Sequence, residues 1–512
     1  MEREIDGIHE WEGELSGPFV SRDMAPVKVA DRKWNRWDIA ALWVGMAVCI
    51  PTYMLASSLI VGGMNWWQAI LTIFLGNVIV LVPMVLNAHA GTKYGIPFPV
   101  FARASFGLHG THLPCLLRAI VGCGWFGIQT WIGGAATHQI LSTLFAGWRN
   151  LPMLDLGFVG AQPLGAWLGF LIFWAVNLAV VVRGIESIRW MEKVAAPFLL
   201  LIGVGLLVWA LVQARGFGPM LSKPSTFETP ADFWRFFFPA LTGMVGYWAT
   251  LSLNIPDFTR YAKTQKDQMW GQALGLNTTM PFYSFIGVAV TSATVIIFGR
   301  EIWDPVALLA EFKSPVLVLL SMAALWIATL TTNLAANVVA PANSLSNLWP
   351  RKISFRLGAI LTCVVGVVIL PWKLLETPGG YIFTWLVGYS ALLGPIAGIL
   401  IADYYLIRKT RLDLGGLYGV GPAYRYCGGF NPAAMIALIV AILINLPGFL
   451  VEIQVLNAST CRAFALGHRL YSYAWFVGFF VAFVLYLVLQ LRRRVGPTRP
   501  TPSTGLRVPR PA

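Results

Sequence analysis

An aromatic ring and an amide stand one helical turn apart in the segment 124–131. Trp125 and Gln129 are four positions apart and therefore lie on one face of a helix. The indole offers a flat apolar surface, and the amide both donates and accepts hydrogen bonds, so the pair suits a planar ring edged with imide or amide groups. Two structural alternatives stay open, since tryptophans also anchor helices at a membrane interface and glutamines also bond one helix to another.

A second group of uncharged polar side chains lies in the segment 328–337. Asn333 and Asn337 repeat at a spacing of four, and Thr331 and Thr332 precede them with two hydroxyl oxygens. Hydroxyl and carbonyl oxygens can hold a hard cation such as sodium without a carboxylate, so the cluster predicts an ion or substrate site. The alternative is a set of hydrogen bonds that join packed helices.

Glycine and proline interrupt two apolar segments in comparable places. Gly45 and Pro51 interrupt one segment, and Gly246 and Pro256 interrupt the other. A broken helix exposes backbone groups in the middle of a membrane, so paired breaks in the two halves of a chain indicate a transporter site. Trp248 follows the second interruption, where it can either close the other side of a planar ring or pack against a neighbour. Membrane helices also tolerate glycine and proline without any such role.

Titratable side chains are rare within the apolar segments. Asp38, Glu192 and Asp403 all lie near predicted segment ends, so a carboxylate proton relay and a metal-dependent membrane hydrolase are poorly supported. The six cysteines show no paired spacing, which argues against a disulfide framework and a metal knuckle. His138 is a candidate for proton handling near neutral pH, with an ordinary interfacial position as the alternative.

The composition indicates which elements must position these residues. Hydrophobic residues make up 57% of the 512 residues and charged residues only 12%, whereas a soluble domain has about 25% charged residues. Runs of about 20 apolar residues can cross a bilayer as helices, while a membrane barrel would show short alternating segments. The sequence therefore predicts an all-α polytopic membrane protein. Its twelve predicted spans are residues 38–62, 67–90, 113–140, 162–183, 191–212, 234–254, 274–298, 314–343, 356–373, 381–404, 432–452 and 472–491.

The net charge of +14 is distributed as a topology signal rather than as a nucleic-acid footprint. Most Lys and Arg residues fall on the side that carries both termini, so the positive-inside rule places both termini in the cytoplasm. The predicted location is the inner or plasma membrane of the cell. The leader is acidic and polar, unlike a cleavable signal peptide. The predicted organisation is a leader (1–37), a ten-helix transport core (38–404), a cytoplasmic loop (405–431), two peripheral helices (432–491) and a disordered tail (492–512).

Five motifs occur in order along the chain. They are GIPFPVFARASFG (95–107), GWFGIQTW (124–131), NIPDFTR (254–260), the polar run of the eighth span ending in APA (340–342), and ADYY (402–405). Together they resemble the nucleobase-cation symporter-1 family, particularly its bacterial allantoin- and hydantoin-permease branch, over residues 20–490. The resemblance implies ten helices in a 5+5 inverted repeat of the leucine-transporter type, two further helices, and transport by alternating access.

The resemblance also implies roles for single residues. In that family the substrate ring lies between two tryptophans, which match Trp125 and Trp248, and bonds polar side chains that match Gln129 and Asn337. Sodium-coupled members hold the ion on backbone carbonyls and two hydroxyls, and the matching positions here are Gly45, Val48, Ala328, Thr331 and Thr332. Cys49 stands where some relatives have an amide on the first helix, and a thiol is a much weaker hydrogen-bonding group.

The leading hypothesis is secondary active transport without covalent chemistry. A small planar heterocycle, such as allantoin, a hydantoin or a nucleobase, would move with a coupling cation, for which sodium is the candidate. The predicted partners are that substrate and membrane lipid, with no nucleic acid and no organic cofactor. A proton-coupled permease for cytosine, uracil or purines is the alternative. A membrane sensor or enzyme is a third hypothesis, although the sequence shows neither a soluble signalling domain nor a cluster of titratable residues.

Overall fold

The chain folds into a bundle of helices that follow the predicted apolar runs. The computed structural model describes residues 2–5, 7–12, 17, 19–183, 200–349 and 352–494. The helices are α1 (Arg36–Ala47), α2 (Ile50–Val61), α3 (Trp66–Tyr94), α4 (Phe98–Phe106), α5 (His112–Leu144), α6 (Ala146–Arg149), α7 (Leu164–Arg183), α8 (Leu200–Gln213), α9 (Phe217–Met220), α10 (Pro230–Tyr247), α11 (Ala249–Asn254), α12 (Pro256–Thr259), α13 (Gln265–Phe298), α14 (Pro305–Ala310), α15 (Pro315–Asn337), α16 (Val339–Leu348), α17 (Phe355–Val368), α18 (Pro371–Leu374), α19 (Gly388–Ile401), α20 (Leu414–Leu417), α21 (Pro432–Glu452), α22 (Arg462–Tyr471) and α23 (Ala474–Arg494). Two π-helical segments, Gly380–Val387 and Ala402–Ile407, extend α19 at both ends into one span.

In the part of the chain that the structure describes, four short strands form two hairpins, which the all-α prediction left out. β1 (Glu2–Ile5) pairs antiparallel with β2 (Ile8–Trp11), and β3 (Met153–Asp155) pairs antiparallel with β4 (Ala161–Pro163). Both hairpins lie outside the apolar runs, in segments too polar or too short to span a membrane. The fold is therefore mainly helical, with β structure confined to connections and the leader.

The predicted spans coincide with helices of the described part. Within the described residues, eight helices are long and apolar enough to cross a membrane, or nine if the bent pair α1–α2 counts as one span. The other three predicted spans hold the broken pair α10–α11 and the shorter helices α8 and α17. Residues 191–199 of the predicted span 191–212, and the predicted tail beyond residue 494, lie outside the described residues. The count of twelve and the 5+5 repeat stay predictions.

The first predicted interruption is a sharp bend. The chain bends by 60° between α1 and α2, and Cys49 at the bend has an extended backbone. The N–H of Cys49 donates to the carbonyl of Ala47, and the N–H of Thr52 donates to the carbonyl of Cys49. In a continuous helix these two N–H groups would instead bond the carbonyls of Gly45 and Val48. The bend therefore leaves those two carbonyl oxygens without their helical donors.

The second predicted interruption separates α10 from α11 at Trp248. Just before it, Gly246 packs against the span that contains α19, and a Cβ at position 246 would lie 2.8 Å from the carbonyl oxygen of Leu386. Only glycine permits this close approach of the two backbones. After the break, α11 ends at Asn254 and α12 starts at Pro256, which has no N–H with which to continue a helix.

Apolar side chains cover the outside of the bundle, as a lipid environment requires. Large exposed hydrophobic residues recur along the long helices, among them Phe74, Val82, Leu171, Leu320, Leu443 and Val484. A soluble protein would bury such a continuous apolar surface. The fold is thus that of a multi-pass membrane protein.

The leader and the loop after α19 fold onto the same end of the bundle. Arg103 of α4 donates to the carbonyl of Phe19 in the leader at 3.2 Å and to the carbonyl of Leu417 in the loop at 3.0 Å. Arg32 donates to the carbonyl of Thr92 at the end of α3, and burial lowers the pKa of Arg32 to about 10. The segment 405–431, predicted as a cytoplasmic loop, therefore packs against α4 as a folded cap.

Candidate functional site

A cavity lies between the two broken helices, α5 and the end of α15. It encloses about 490 Å³ of empty space, which includes the open solvent at its mouth. Six residues predicted from the sequence line it, namely Cys49, Trp125, Gln129, Trp248, Thr332 and Asn337. The sequence-based site omitted further lining residues, including Met46, Arg118, Gly122, Tyr247 and Thr250.

Three aromatic rings line the cavity. Tyr247 contacts Trp125 with ring centroids 5.3 Å apart and Trp248 with centroids 4.9 Å apart. Both indoles stand nearly perpendicular to the phenol ring, at 81° and 90°, an arrangement that allows the indoles to face each other across the cavity. The indole N–H of Trp248 donates to the sulfur of Met280 at 2.8 Å, which fixes that ring. These planes suit a flat apolar ring.

Two amides from different helices contribute polar groups to the cavity. Gln129 is 4% exposed, and its amide has no protein hydrogen bond among the described residues. The amide nitrogen of Asn337 donates to the side-chain oxygen of Asn333 at 3.1 Å, so the oxygen of Asn337 keeps its accepting capacity. Asn333 itself lies behind the cavity wall and bonds α5 and α7. The polar run of α15 thus contains both a cavity-lining residue, Asn337, and a residue that bonds neighbouring helices, Asn333.

Cys49 lies in the bend between α1 and α2 and faces the second broken helix. Its sulfur is 3.3 Å from the hydroxyl of Tyr247 and 3.3 Å from the hydroxyl of Thr52. Those two hydroxyls are 2.9 Å apart, so they bond each other directly. Since a thiol is a weak hydrogen-bonding group, Cys49 mainly fills space beside Tyr247.

The predicted sodium ligands offer uncharged oxygens of the right chemistry. The bend removes the helical donors of Gly45 and Val48, and an added Cβ at Gly45 would meet nothing within 4 Å. The hydroxyl of Thr331 donates to the carbonyl of Ala328 at 2.9 Å, which leaves its oxygen lone pairs free. Thr332 is the one member of this set that also lines the cavity among the described residues. Within the described part of the chain, no group of three or more His, Cys, Asp or Glu residues is placed to hold a metal ion.

Arg118 is the main functional candidate that sequence reasoning missed. Its position near the start of the third predicted span placed it with the basic residues of the terminus side, but the structure places it within α5 at the cavity. A signal was present, because Arg118, Gly122, Trp125 and Gln129 follow the spacing of one helical face. We call these four residues the cavity face of α5.

His138 lies outside the cavity lining. Its Nδ1 accepts a hydrogen bond from the indole N–H of Trp148 at 3.0 Å, and the imidazole packs beside Gly165 of α7. The neutral ring is the form that can accept this bond. This local contact accounts for the histidine without a role in the cavity.

A comparison with protein families identifies the chain. A family model for permeases of cytosine/purines, uracil, thiamine and allantoin matches residues 26–478. The chain belongs to this permease family. The family predicted from the five motifs is therefore confirmed, and the members of this family are membrane transporters.

Two relatives and one solved structure are similar to this chain over most of its length. This permease is 46% identical over 483 residues to the purine-uracil permease NCS1 of Arabidopsis thaliana, covering 94% of this chain and 79% of that protein. It is 39% identical over 477 residues to the allantoin permease of Bacillus subtilis (strain 168), covering 93% of this chain and 94% of that protein. A structure of Mhp1, a nucleobase-cation-symport-1 family transporter in a closed conformation with bromovinylhydantoin bound, matches with a TM-score of 0.73 at 26% identity and covers 93% of this chain and 96% of that chain.

Proposed function

We propose that this permease is a cation-coupled symporter that moves a small planar heterocycle, such as allantoin, a hydantoin or a nucleobase, by alternating access. The observation that supports this most is that two indoles, two amides and a threonine hydroxyl share one cavity beside two broken helices. The names of the relatives, which include purine-uracil and allantoin permeases, support the same substrate class.

The substrate ring would lie between the indoles of Trp125 and Trp248. Stacking of a base on an aromatic side chain contributes about 1–3 kcal/mol, and it tolerates different rings because every ring has an apolar face. Gln129 and Asn337 would then bond the imide or amide edge of the ring, which alternates donors and acceptors as amides do. No covalent bond forms or breaks, so these residues supply recognition and orientation only.

We propose sodium as the coupling ion, held by the carbonyls of Gly45, Val48 and Ala328 and the hydroxyls of Thr331 and Thr332. The freed carbonyls at the bend and the lone pairs of the hydroxyls support this assignment. An ion that bridged α1 and α15 would stabilise the arrangement that also binds substrate. By linkage, sodium and substrate would then raise each other's affinity by the same factor.

We further propose that an inverted repeat underlies the transport cycle. The pairs α1–α2 and α10–α11 would be equivalent members of a 5+5 inverted repeat within twelve spans, and the two repeats would rock against each other around the cavity. The matching positions of the two breaks support this. The excess of basic residues near both termini supports a cytoplasmic location for the termini.

Uptake of labelled allantoin, hydantoin, uracil and cytosine into a permease-deficient host tests the proposed function. We expect saturable uptake of at least one ring compound, and we expect external sodium to increase it. If no ring compound shows saturable uptake, the proposed substrate class is wrong. Uptake that ignores sodium and collapses with a protonophore would assign proton coupling, the alternative mechanism.

A matched pair of threonine variants tests the ion site separately. Thr331→Val should remove most of the sodium dependence of substrate binding, because it deletes one proposed ligand and keeps the shape of the side chain. Thr329→Val on the same helix should leave that dependence unchanged, since its buried hydroxyl belongs neither to the cavity lining nor to the proposed ligands. Equal sodium dependence in both variants would exclude Thr331 as a ligand.

A further inference from the structure

A charged group lines the cavity and has no role in the function proposed above. Among the described residues of the lining, Arg118 alone carries a charge. Its side chain is 2% exposed, and its Nε and Nη2 donate to the side-chain oxygen of Asn254 at 3.1 and 3.0 Å. Its Nη1 has no hydrogen-bond partner within the described part of the chain. This nitrogen lies beside Gly122, another lining residue, where an added Cβ would be only 2.6 Å away from it.

The two hydrogen bonds to Asn254 fix the orientation of the Arg118 guanidinium and therefore of Nη1. A guanidinium is planar, and two of its nitrogens share one acceptor on Asn254, so the plane cannot turn freely. Asp257 attracts Arg118 through the electrostatic field, but no carboxylate forms a direct ion pair with it among the described residues. A buried charged donor without an acceptor is unfavourable, so an acceptor on a bound molecule would relieve the deficit.

The Arg118 guanidinium differs from the two amides of the cavity in that it cannot accept a hydrogen bond. A guanidinium only donates hydrogen bonds, whereas the amides of Gln129 and Asn337 donate and accept and can turn to suit either kind of group. An oxygen of a ring carbonyl would accept from Nη1. An exocyclic amino group at the same edge would place N–H against N–H and leave both groups without an acceptor.

We propose that Arg118 sets specificity for one edge of the ring, selecting rings with a carbonyl oxygen at that edge over matched rings with an amino group in the same position. Uracil and hypoxanthine belong to the preferred class, and cytosine and adenine belong to the rejected class. This inference rests on the proposed function and adds a substrate class to the same cavity. Gly122 contributes by leaving room for the guanidinium beside the ring.

Competition experiments with matched rings test the inference. The purified full-length permease is titrated with uracil, cytosine, hypoxanthine and adenine, and affinities are measured by thermal shift and by inhibition of labelled uptake. The wild-type protein should prefer the oxo member of each pair by about tenfold to a hundredfold, the value of a charged hydrogen bond. Arg118→Gln should reduce this ratio to near one, because an amide serves both kinds of group. Arg118→Lys should keep a smaller preference, since an ammonium also only donates.

The ratio of affinities separates specificity from a structural role. A purely structural arginine would lower the affinity for all four rings by a similar factor and leave the ratio unchanged, and that result would overturn the inference. If Arg118→Gln does not fold, equal wild-type affinity for uracil and cytosine would overturn it as well. In both cases ring binding itself persists and the proposed function stands, whereas no binding of any ring by the wild type would defeat the proposed function.

Discussion

Helix α5 presents two faces whose residues follow the same helical spacing. The two faces differ in whether their polar groups form hydrogen bonds with the rest of the protein. The cavity face is the set Arg118, Gly122, Trp125 and Gln129, and the packing face is the set Phe126, Thr130, Gly133 and Thr137. On the packing face, Asn333 of α15 donates to the carbonyl of Phe126 at 3.3 Å and to the hydroxyl of Thr130 at 3.1 Å. The indole N–H of Trp326 likewise donates to the hydroxyl of Thr137 at 2.9 Å. On the cavity face, the Gln129 amide and one guanidinium nitrogen have no protein partner in the described part.

This difference shows that burial alone does not identify a site in a membrane protein. Gln129 and Thr130 are neighbours in sequence and are both buried. A polar group buried in a membrane protein is unfavourable unless it is hydrogen-bonded, and the packing face forms those bonds within the protein. The cavity face has hydrogen-bonding groups that no described residue satisfies. Unused hydrogen-bonding capacity, rather than polarity, therefore separates the two faces.

The largest effect that this comparison predicts concerns two tryptophans of α5. Trp125→Ala removes a proposed stacking surface and should weaken substrate binding by an amount near the upper end of about 1–3 kcal/mol, or roughly a hundredfold in Kd. Trp131→Ala is the matched control, because Trp131 packs against Trp167 and Trp372 outside the cavity. Binding isotherms of the two purified variants provide the measurement. Unchanged affinity in Trp125→Ala would remove this indole from the site.

The sequence predicted part of the cavity face and missed the rest for physical reasons. Trp125 and Gln129 were found because a ring and an amide one turn apart suggest recognition. Arg118 was missed because the Lys and Arg residues were counted only by the side of the membrane on which they lie. Such a count cannot show that the Arg118 side chain is buried and bonded to Asn254. The spacing of four residues on one face carried the signal, but spacing does not show which face meets a cavity.

The fold was predictable to a similar extent. Bilayer thickness imposes a helix length, so hydropathy located the helices, and glycine and proline located both breaks. The folded cap was not predictable, because it depends on tertiary contacts such as those of Arg103 with the leader and the loop. The distinct roles of Asn333 and Asn337 were equally hidden, since both have the same side chain on the same helix.

The next prediction concerns the free amide of the cavity face. Gln129→Leu removes both its donor and its acceptor and leaves the ring edge of the substrate unpaired, which should cost about 1–2 kcal/mol, or roughly five- to thirtyfold in Kd. Thermal stability without substrate should hardly change, because the described structure contains no protein hydrogen bond to lose there. Titration with the preferred substrate measures the first quantity and a thermal melt the second. A large loss of stability with unchanged affinity would assign Gln129 to the packing role.

The neighbouring residue should show the reverse pattern. Thr130→Val keeps the shape of the side chain but removes the hydroxyl that Asn333 bonds, at a cost of about 0.6–1.7 kcal/mol for a hydrogen bond between membrane helices. The melting temperature should fall by a few degrees, while substrate affinity should stay within about twofold of the wild type. The same two assays apply. A Thr130→Val variant that melts normally but binds poorly would erase the distinction between the two faces.

The smallest predicted effect concerns Cys49, a lining residue whose thiol forms only weak hydrogen bonds. Cys49 contacts the hydroxyls of Tyr247 and Thr52, but these hydroxyls already bond each other at 2.9 Å. Cys49→Ala should therefore change Kd by less than about twofold, because a thiol adds little to a pair that is already satisfied. Cys123→Ala is the matched control, a second buried cysteine that does not line the cavity. A tenfold loss in Cys49→Ala alone would mean that the thiol bonds the substrate directly, and the bend of the first broken helix would then belong to the substrate site as well as to the proposed ion site.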